Sequence, residues 1–392
     1  MSVDPNYGFI PYGKHKLTDE DKKEVLKVLN SQFLTQGPAV PSFEKQITLK
    51  VGAKEAIAVN SATSGLHLSC LALGLTKGDY LWTTPITFVA SANCALYCGA
   101  KIDFVDINPQ TGLICTNALE EKLKKAKKVN MLPKIVIPVH LSGTSCDMKK
   151  IHDLSIKYGF KIIEDASHAI GGKYKNIPVG SCKYSEITVF SFHPVKIITT
   201  GEGGIISTNN TKIAKLIRNL RSHGITKDKN DFKYEPKGSW VYEQQYLGYN
   251  YRMNDIQAAL GLSQLKRLEI IVEKRNQLLE LYKILLKGLP LRFLEIPKNV
   301  ISSVHLCVIR LENKNEKFHK KVFEGMKSAK IGVQLHYLPV HLHPFYQNFG
   351  FSEGDFPNAE SYSSSAISLP LFFDISKDQQ KYVAETLKGL IT

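Results

Sequence analysis

The sequence predicts an α/β protein built on a mostly parallel seven-stranded sheet, with a smaller C-terminal α+β unit. Three observations carry this: seven short apolar runs rich in β-branched residues between positions 56 and 208, helical spacing between most of them, and a change of texture after Gly224. Strands alternating with helices imply a largely parallel sheet covered on both faces. The chain has 392 residues, 43% apolar and 22% charged, which excludes a small stapled domain and leaves ample material for a core.

The predicted strands are AIAV (56–59), YLWTT (80–84), KIDFVD (101–106), KIVIPVHL (134–141), KIIED (161–165), ITVFSFH (187–193) and GGIIST (203–208). Between the fourth and fifth, residues 147–158 read as a helix, with Asp147 as its cap and Ile151, Leu154 and Tyr158 on one face. After Gly224 the stretch ITKDKNDFKYEPKGSWVYEQQYLGYNYR is polar, Lys-rich and aromatic, which predicts an excursion rather than core. A long helical pattern follows over 254–286, and short strands and helices come after Gly288-Leu289-Pro290. The expected division is a large unit over 1–262, including an N-terminal segment, and a small unit over 263–392.

Seven cysteines with no CxxC pair indicate neither a disulfide framework nor a zinc ribbon, and read as buried thiols of a reducing compartment. Neither an apolar leader core nor a stretch of about 18 apolar residues is present, so the expectation is a cytoplasmic protein without a membrane partner. Asn209-Asn210-Thr211 fits a glycosylation triplet of a kind that arises often by chance. The net charge of +15 is spread along runs such as Lys122–Lys128 and Lys314–Lys321 and does not gather on one aromatic-bearing motif. That favours solvated helix faces over a nucleic-acid footprint, while a basic field still attracts phosphate-bearing metabolites.

In open parallel sheets the ligand sits beyond the carboxyl ends of the strands, so residues following each run are the candidates for chemistry. After AIAV, Asn60-Ser61-Ala62-Thr63-Ser64-Gly65 opens a helix with small residues. This suits a phosphate, although an ordinary helix cap would look the same. Asp165 ends KIIED, where a buried carboxylate requires a cation or a protonated ring nitrogen, in a structural ion pair or in a site. Ser191 and Lys196 lie five residues apart beyond ITVF, and a confined lysine of lowered pKa can form imines. The turn Thr199–Gly204 fits neither a Walker A loop nor a dinucleotide fingerprint, and reads as the hairpin that holds Lys196 in place. A phosphate anchor, a partner for a pyridinium nitrogen and a Schiff-base amine together suit pyridoxal phosphate.

The segments NSATSGLHL, TTPITFVASANCALYCGAKIDFVDI, IEDASHAIGGKY, FSFHPVKIITTGEGGIIST, LRSHG, GYNYRMNDIQAALGLSQLKRL and HYLPVHLHPFY resemble those of the DegT/DnrJ/EryC1/StrS sugar aminotransferases, from about Tyr12 to the C-terminus. The resemblance implies the fold type I aminotransferase architecture and a homodimer. It also implies amino transfer from L-glutamate to a nucleotide-linked keto-sugar, with pyridoxal 5′-phosphate passing through its pyridoxamine form. VLNSQFLTQG, SFHPVK and IGVQLHY are most similar to the branch that aminates C4 of a UDP-linked keto-sugar on the route to pseudaminic acid. Relatives acting on other UDP- or dTDP-linked 4-keto or 3-keto sugars share most of the same motifs.

By position, the resemblance makes Lys196 the imine-forming amine and Asp165 the partner of the pyridine nitrogen. It sets His168 against the cofactor ring and Phe88 on the opposite face, and gives the phosphate to Ala62, Thr63 and Ser191. Asn250 would reach the phosphate from the neighbouring subunit, and Tyr12, Leu34, Thr35, His336 and Tyr337 would belong to the sugar-nucleotide pocket. His341 and His343 lack an evident third ligand, so no metal is expected, and Cys94 and Cys98 read as core thiols. Relatives that dehydrate at C3 typically carry His at the lysine position, and Lys196 speaks against that chemistry. A regulatory relative would need a DNA-binding module, for which there is no spare length.

Overall fold

The computed structural model describes residues 8–312 and 315–392. The first seven residues and Lys314, part of the basic run read from the sequence, lie outside the described residues. Each of the seven runs forms a strand of one sheet: β1 (Glu55–Val59), β2 (Tyr80–Thr83), β3 (Lys101–Phe104), β4 (Ile135–Val136), β5 (Lys161–Asp165), β6 (Ile187–Ser191) and β7 (Gly204–Thr208). Their order across the sheet is β1-β7-β6-β5-β4-β2-β3. The pairs β2/β3, β2/β4, β4/β5 and β5/β6 are parallel, while β7 runs antiparallel to both β1 and β6.

Several strands are shorter than their apolar runs, β4 most of all. Pro138 has no N–H to give to a ladder. Its carbonyl still accepts from the Asp165 N–H at 3.0 Å, and Val139 makes an isolated bridge to Asp165. The run read over 134–141 therefore stays extended beside β5 without being a regular strand throughout.

Helix α1 (Asp19–Leu29) lies outside the layers formed by α2 (Ala39–Val51), α3 (Ala62–Ala72), α4 (Ala90–Tyr97), α5 (Thr116–Lys128), α6 (Met148–Tyr158) and α7 (Thr211–Arg221), which cover the sheet. As the sequence predicts, the Asp147 side chain caps α6 by accepting from Lys150 N, and Ile151 and Leu154 are buried. One core holds Leu66, Leu68, Ile102, Leu119 and Ile151; the other holds Phe43, Ile47, Phe190, Phe192 and Ile198. Both faces of the strands are thus removed from water, which is why they read as continuous apolar runs.

The stretch after Gly224 contains a short antiparallel pair, Ile225–Thr226 with Glu243–Gln244, and one 3-10 turn, Lys229–Asp231, and leaves Tyr234, Trp240 and Leu247 exposed. The helical pattern over 254–286 is two helices, α8 (Asp255–Leu265) and α9 (Leu268–Leu285), rather than one. The break falls at Arg267, whose backbone leaves helical angles while its guanidinium reaches the buried Asp21 at 2.6 Å.

Beyond α9, strands Leu291–Phe293, Cys307–Leu311 and Ala366–Leu369 form a small antiparallel sheet. Helix α10 (Glu316–Ser328) and the last helix, Lys377–Ile391, enclose a third core around Tyr282, Ile309, Val322 and Leu387. Residues 302–305, just before the Cys307–Leu311 strand, bond to the turn that follows β4: Ser303 N–H donates to Gly143 O at 3.1 Å and His305 N–H to Ser142 O at 2.8 Å. Gly143 sits at φ +92, and a Cβ there would lie 2.7 Å from Ser303 Oγ, so the close approach requires glycine. Among the described residues no helix is long and apolar enough to cross a membrane.

Candidate active site

The carboxyl ends of β1, β5 and β6 open into one cavity of about 730 Å³, where open parallel sheets bind their ligands. Ala62, Thr63, Asp165, His168, Ser191 and Lys196 all line it, although they come from three separate stretches of sequence.

Asp165 is 5% exposed. Ser91 Oγ donates to its Oδ2 at 2.5 Å, and Ser167 N–H donates to its Oδ1 at 3.0 Å. Because the Ser91 proton is committed to the carboxylate, the 2.7 Å contact between Thr87 and Ser91 must have Thr87 as donor. A carboxylate carries more lone pairs than these two bonds use, so Asp165 can still receive a ring N–H.

The Asn60–Gly65 stretch opens α3. Ser61 is its N-cap, accepting from Ser64 N–H at 3.2 Å, and the first turn carries no acidic side chain. The N–H groups of this first turn, together with the positive end of the helix dipole, form an anion receptor. Gly204, the first residue of β7, packs on it: a Cβ there would lie 2.7 Å from Ala62 N. Ser191, ending β6, brings a hydroxyl to the same cavity.

Lys196 follows β6. The Thr199–Gly204 turn folds back through Thr200 N–H to Phe192 O (3.0 Å) and Thr199 Oγ1 to Phe192 O (2.9 Å), which anchors the loop carrying the lysine. Surrounding protein pushes the Lys196 pKa down to about 8, against the opposing attraction of Asp165. A larger fraction of the amine is therefore unprotonated near neutral pH than for a solvated lysine.

Three histidines share this cavity. Burial, reinforced by the Lys196 charge, holds His168 and His336 well below the ordinary histidine pKa, His336 at about 3. Burial does the same to His305, with His168 and Lys196 adding to it. All three are neutral, so Lys196 faces uncharged imidazoles. Tyr337 OH lies 3.3 Å from His168 Nε2, while His168 Nδ1 is buried and has no partner among the described residues. His336 Nδ1 lies 2.8 Å from Ser368 Oγ, and Tyr362 OH donates to His336 O at 2.9 Å. Phe88 and Tyr12 stand at the rim, their rings 6.3 Å from Tyr337 and 5.4 Å from His336.

Of the residues expected at the site, Tyr12, Ala62, Thr63, Phe88, Asp165, His168, Ser191, Lys196, His336 and Tyr337 are brought together. Leu34, Thr35 and Asn250 do not line the cavity within one chain; Leu34 is half-exposed and Asn250 is exposed. Sequence reasoning missed Thr87, Ser91 and His305. The first two were detectable as hydroxyls four residues apart, one in the loop after β2 and one at the start of α4, whereas His305 sits in no motif.

This donor set fits pyridoxal phosphate. A glycine-backed helix N-terminus suits the phosphate, a buried carboxylate suits the ring nitrogen, and a confined amine suits the aldehyde. The unpartnered His168 Nδ1 leaves one further polar group for the ring to satisfy.

The model of the DegT/DnrJ/EryC1/StrS aminotransferase family matches residues 15–388. The UDP-4-amino-4,6-dideoxy-N-acetyl-β-L-altrosamine transaminase of Campylobacter jejuni is 37% identical over 97% of this chain and 97% of its own. The spore coat polysaccharide biosynthesis protein SpsC of Bacillus subtilis is also 37% identical, over 98% of this chain and 97% of its own. Among solved structures, Helicobacter pylori PseC, an aminotransferase involved in pseudaminic acid biosynthesis, superimposes with a TM-score of 0.89 at 33% identity, covering 98% of this chain and 99% of that one. The sugar aminotransferase Spr1654 of Streptococcus pneumoniae in its pyridoxamine phosphate form gives a TM-score of 0.88 at 29% identity over 97% of this chain and 98% of that one, and its pyridoxal phosphate form matches as well.

Proposed function

This chain belongs to the DegT/DnrJ/EryC1/StrS aminotransferase family, and from that premise we propose that it moves an amino group from L-glutamate to C4 of UDP-2-acetamido-2,6-dideoxy-β-L-arabino-hex-4-ulose. The product is UDP-4-amino-4,6-dideoxy-N-acetyl-β-L-altrosamine, a precursor of pseudaminic acid. The observation that carries this reading is the end-to-end 37% identity to the Campylobacter transaminase, joined to a cavity in which Lys196 and Asp165 face the same space.

The cofactor of this aminotransferase is pyridoxal 5′-phosphate, which supplies an electron sink for the carbon that loses its proton. In the proposed site Ala62, Thr63 and Ser191 hold its phosphate, and Asp165 keeps a proton on its ring nitrogen. His168 and Phe88 bound the ring on its two faces. Lys196 Nζ would supply the amine that binds the aldehyde and the base that moves a proton at the donor's α-carbon and, in the second half, at the sugar's C4. A pKa of about 8 suits an amine that must accept and release a proton near neutral pH.

Tyr12, His336 and Tyr337 form the sugar-nucleotide side of this pocket in the proposal. Leu34 and Thr35, exposed in one chain, and Asn250 complete the site across a homodimer. The excursion that leaves Tyr234, Trp240 and Leu247 exposed supports such an interface.

The equal identity to SpsC supports a second reading, in which the same chemistry serves another nucleotide-linked keto-sugar of a surface polysaccharide. The deciding experiment offers purified enzyme, pyridoxal phosphate and glutamate the two C5-epimeric UDP-2-acetamido-2,6-dideoxy-4-hexuloses and dTDP-4-keto-6-deoxyglucose in parallel. Amination of the L-arabino epimer alone is expected. Turnover of another sugar only would move the pathway and leave the site in place.

A further inference from the structure

His305 lines the cavity, yet it comes from residues 302–305, just before the Cys307–Leu311 strand of the small sheet. Besides the bonds to Ser142 and Gly143, this segment is clamped by Arg275 of α9. Arg275 Nε donates to Val304 O at 2.9 Å, and its Nη2 donates to His305 O at 2.9 Å and Leu371 O at 3.2 Å. Arg275 is 3% exposed and these partners are all backbone carbonyls, so a buried cation fixes the backbone under His305.

The same segment grips His168 twice. Ser303 Oγ donates to His168 O at 2.9 Å, and the His305 ring centroid lies 4.4 Å from that of His168 with the planes at 47°. Tyr337, at 6.3 Å and 22°, stacks on His168 as well. The Nδ1 atoms of both His168 and His305 are buried without partners among the described residues, so no hydrogen bond at Nδ1 sets either ring's orientation. Packing must do it.

We propose that His305 is a positioning residue for the cofactor: packed against His168, it fixes the plane that His168 presents to the cofactor ring. This rests on the reading of His168 as a ring contact. Without His305, the His168 ring keeps only its Tyr337 contacts and gains freedom to turn from the cofactor, which binding must first restrict. A ring already fixed spares that entropy.

The test titrates apo-protein with pyridoxal 5′-phosphate and follows both affinity and the visible circular dichroism induced in the bound cofactor. His305→Ala is expected to weaken affinity about tenfold, the scale of one aromatic packing contact, and to reduce the induced signal. His305→Phe, which keeps a flat ring, is expected to stay within about threefold of the parent. In a His168→Ala background, His305→Ala is expected to add little.

The proposal is overturned by an unchanged His305→Ala, by His305→Phe as weak as His305→Ala, or by a full His305→Ala loss in the His168→Ala background. If His305→Ala does not fold, as judged by far-UV circular dichroism, His305→Leu takes its place with the same expectation, since it fills volume without a flat ring. A parent protein that binds no cofactor would fail at the catalytic reading itself. A His168→Ala variant that binds as tightly as the parent would remove the role of His168, and the proposal with it.

Discussion

Ser91 Oγ donates a 2.5 Å hydrogen bond to Asp165 Oδ2, and Thr87 Oγ1 supports Ser91 in turn at 2.7 Å. Asp165 stands at the end of β5, while Thr87 and Ser91 lie in the loop after β2 and at the start of α4. The relay therefore ties the carboxylate to a neighbouring part of the sheet and orients it without using all of its lone pairs.

Replacing Ser91 by Ala removes a charge-assisted bond from a buried carboxylate, a contribution of about 1.5–3 kcal/mol. The expected result is a kcat roughly 10- to 100-fold lower with cofactor still bound. Thr87→Val should produce a smaller loss, and the double variant should cost less than the two single losses combined, because Thr87 acts through Ser91. Steady-state kinetics on the three variants decides it, and additive losses would show that Thr87 acts independently.

Lys196 yields a pH prediction. Burial lowers its pKa to about 8, so the amine is protonated and unreactive below that value and free above it. Reductive trapping of pyridoxal phosphate on the apo-protein should rise with pH through a midpoint near 8 and then level off. A midpoint at the ordinary lysine value would contradict the burial argument. Lys196→Ala should trap nothing and should lose transamination entirely.

Much of this site was legible because it follows from strand periodicity: Asp165, Ser191 and Asn60 each stand just at or beyond the end of an apolar run. Thr87 and Ser91 were not legible as a relay. They carry no charge, and their value appears only when the fold brings the start of α4 to Asp165 at the end of β5. His305 was further out of reach, since residues 302–305 meet Ser142 and His168 through packing between distant parts of the chain. The break between α8 and α9 was invisible for a similar reason: the apolar pattern continues through it, and a long-range ion pair from Arg267 to Asp21 marks the spot.

Gly204→Ala tests the phosphate cradle. The added methyl would meet Ala62 N at 2.7 Å and Ser61 C at 2.8 Å, both backbone atoms that cannot swing aside. Separating β7 from the start of α3 should cost about 1–3 kcal/mol of stability. It should also weaken pyridoxal phosphate more than pyridoxal, because only the former uses the helix N-terminus. Equal loss for the two compounds would place the phosphate elsewhere.

Asp21 governs the acid limb of stability. It is 1% exposed and accepts from Ser263 Oγ (2.6 Å), Gln264 Nε2 (2.8 Å) and Arg267 Nη2 (2.6 Å), fastening α1 to the α8–α9 break. Burial alone would raise its pKa, but the hydrogen bonds from Ser263 and Thr18 and the Arg267 charge outweigh it, and the net shift is downward. A carboxylate whose folded pKa lies below its unfolded value contributes its full stability above roughly pH 4, and loses it as the pH falls through the lower folded value. Asp21→Asn keeps the shape and removes the charge, and should cost about 2 kcal/mol at pH 7, less than a fully buried pair because Arg267 is partly solvated. Urea unfolding at pH 7 and at pH 3 should show the gap between parent and variant narrowing in acid. A gap that stays constant between the two would mean that the Asp21 charge contributes nothing, and that only the shape of the side chain holds α1 in place.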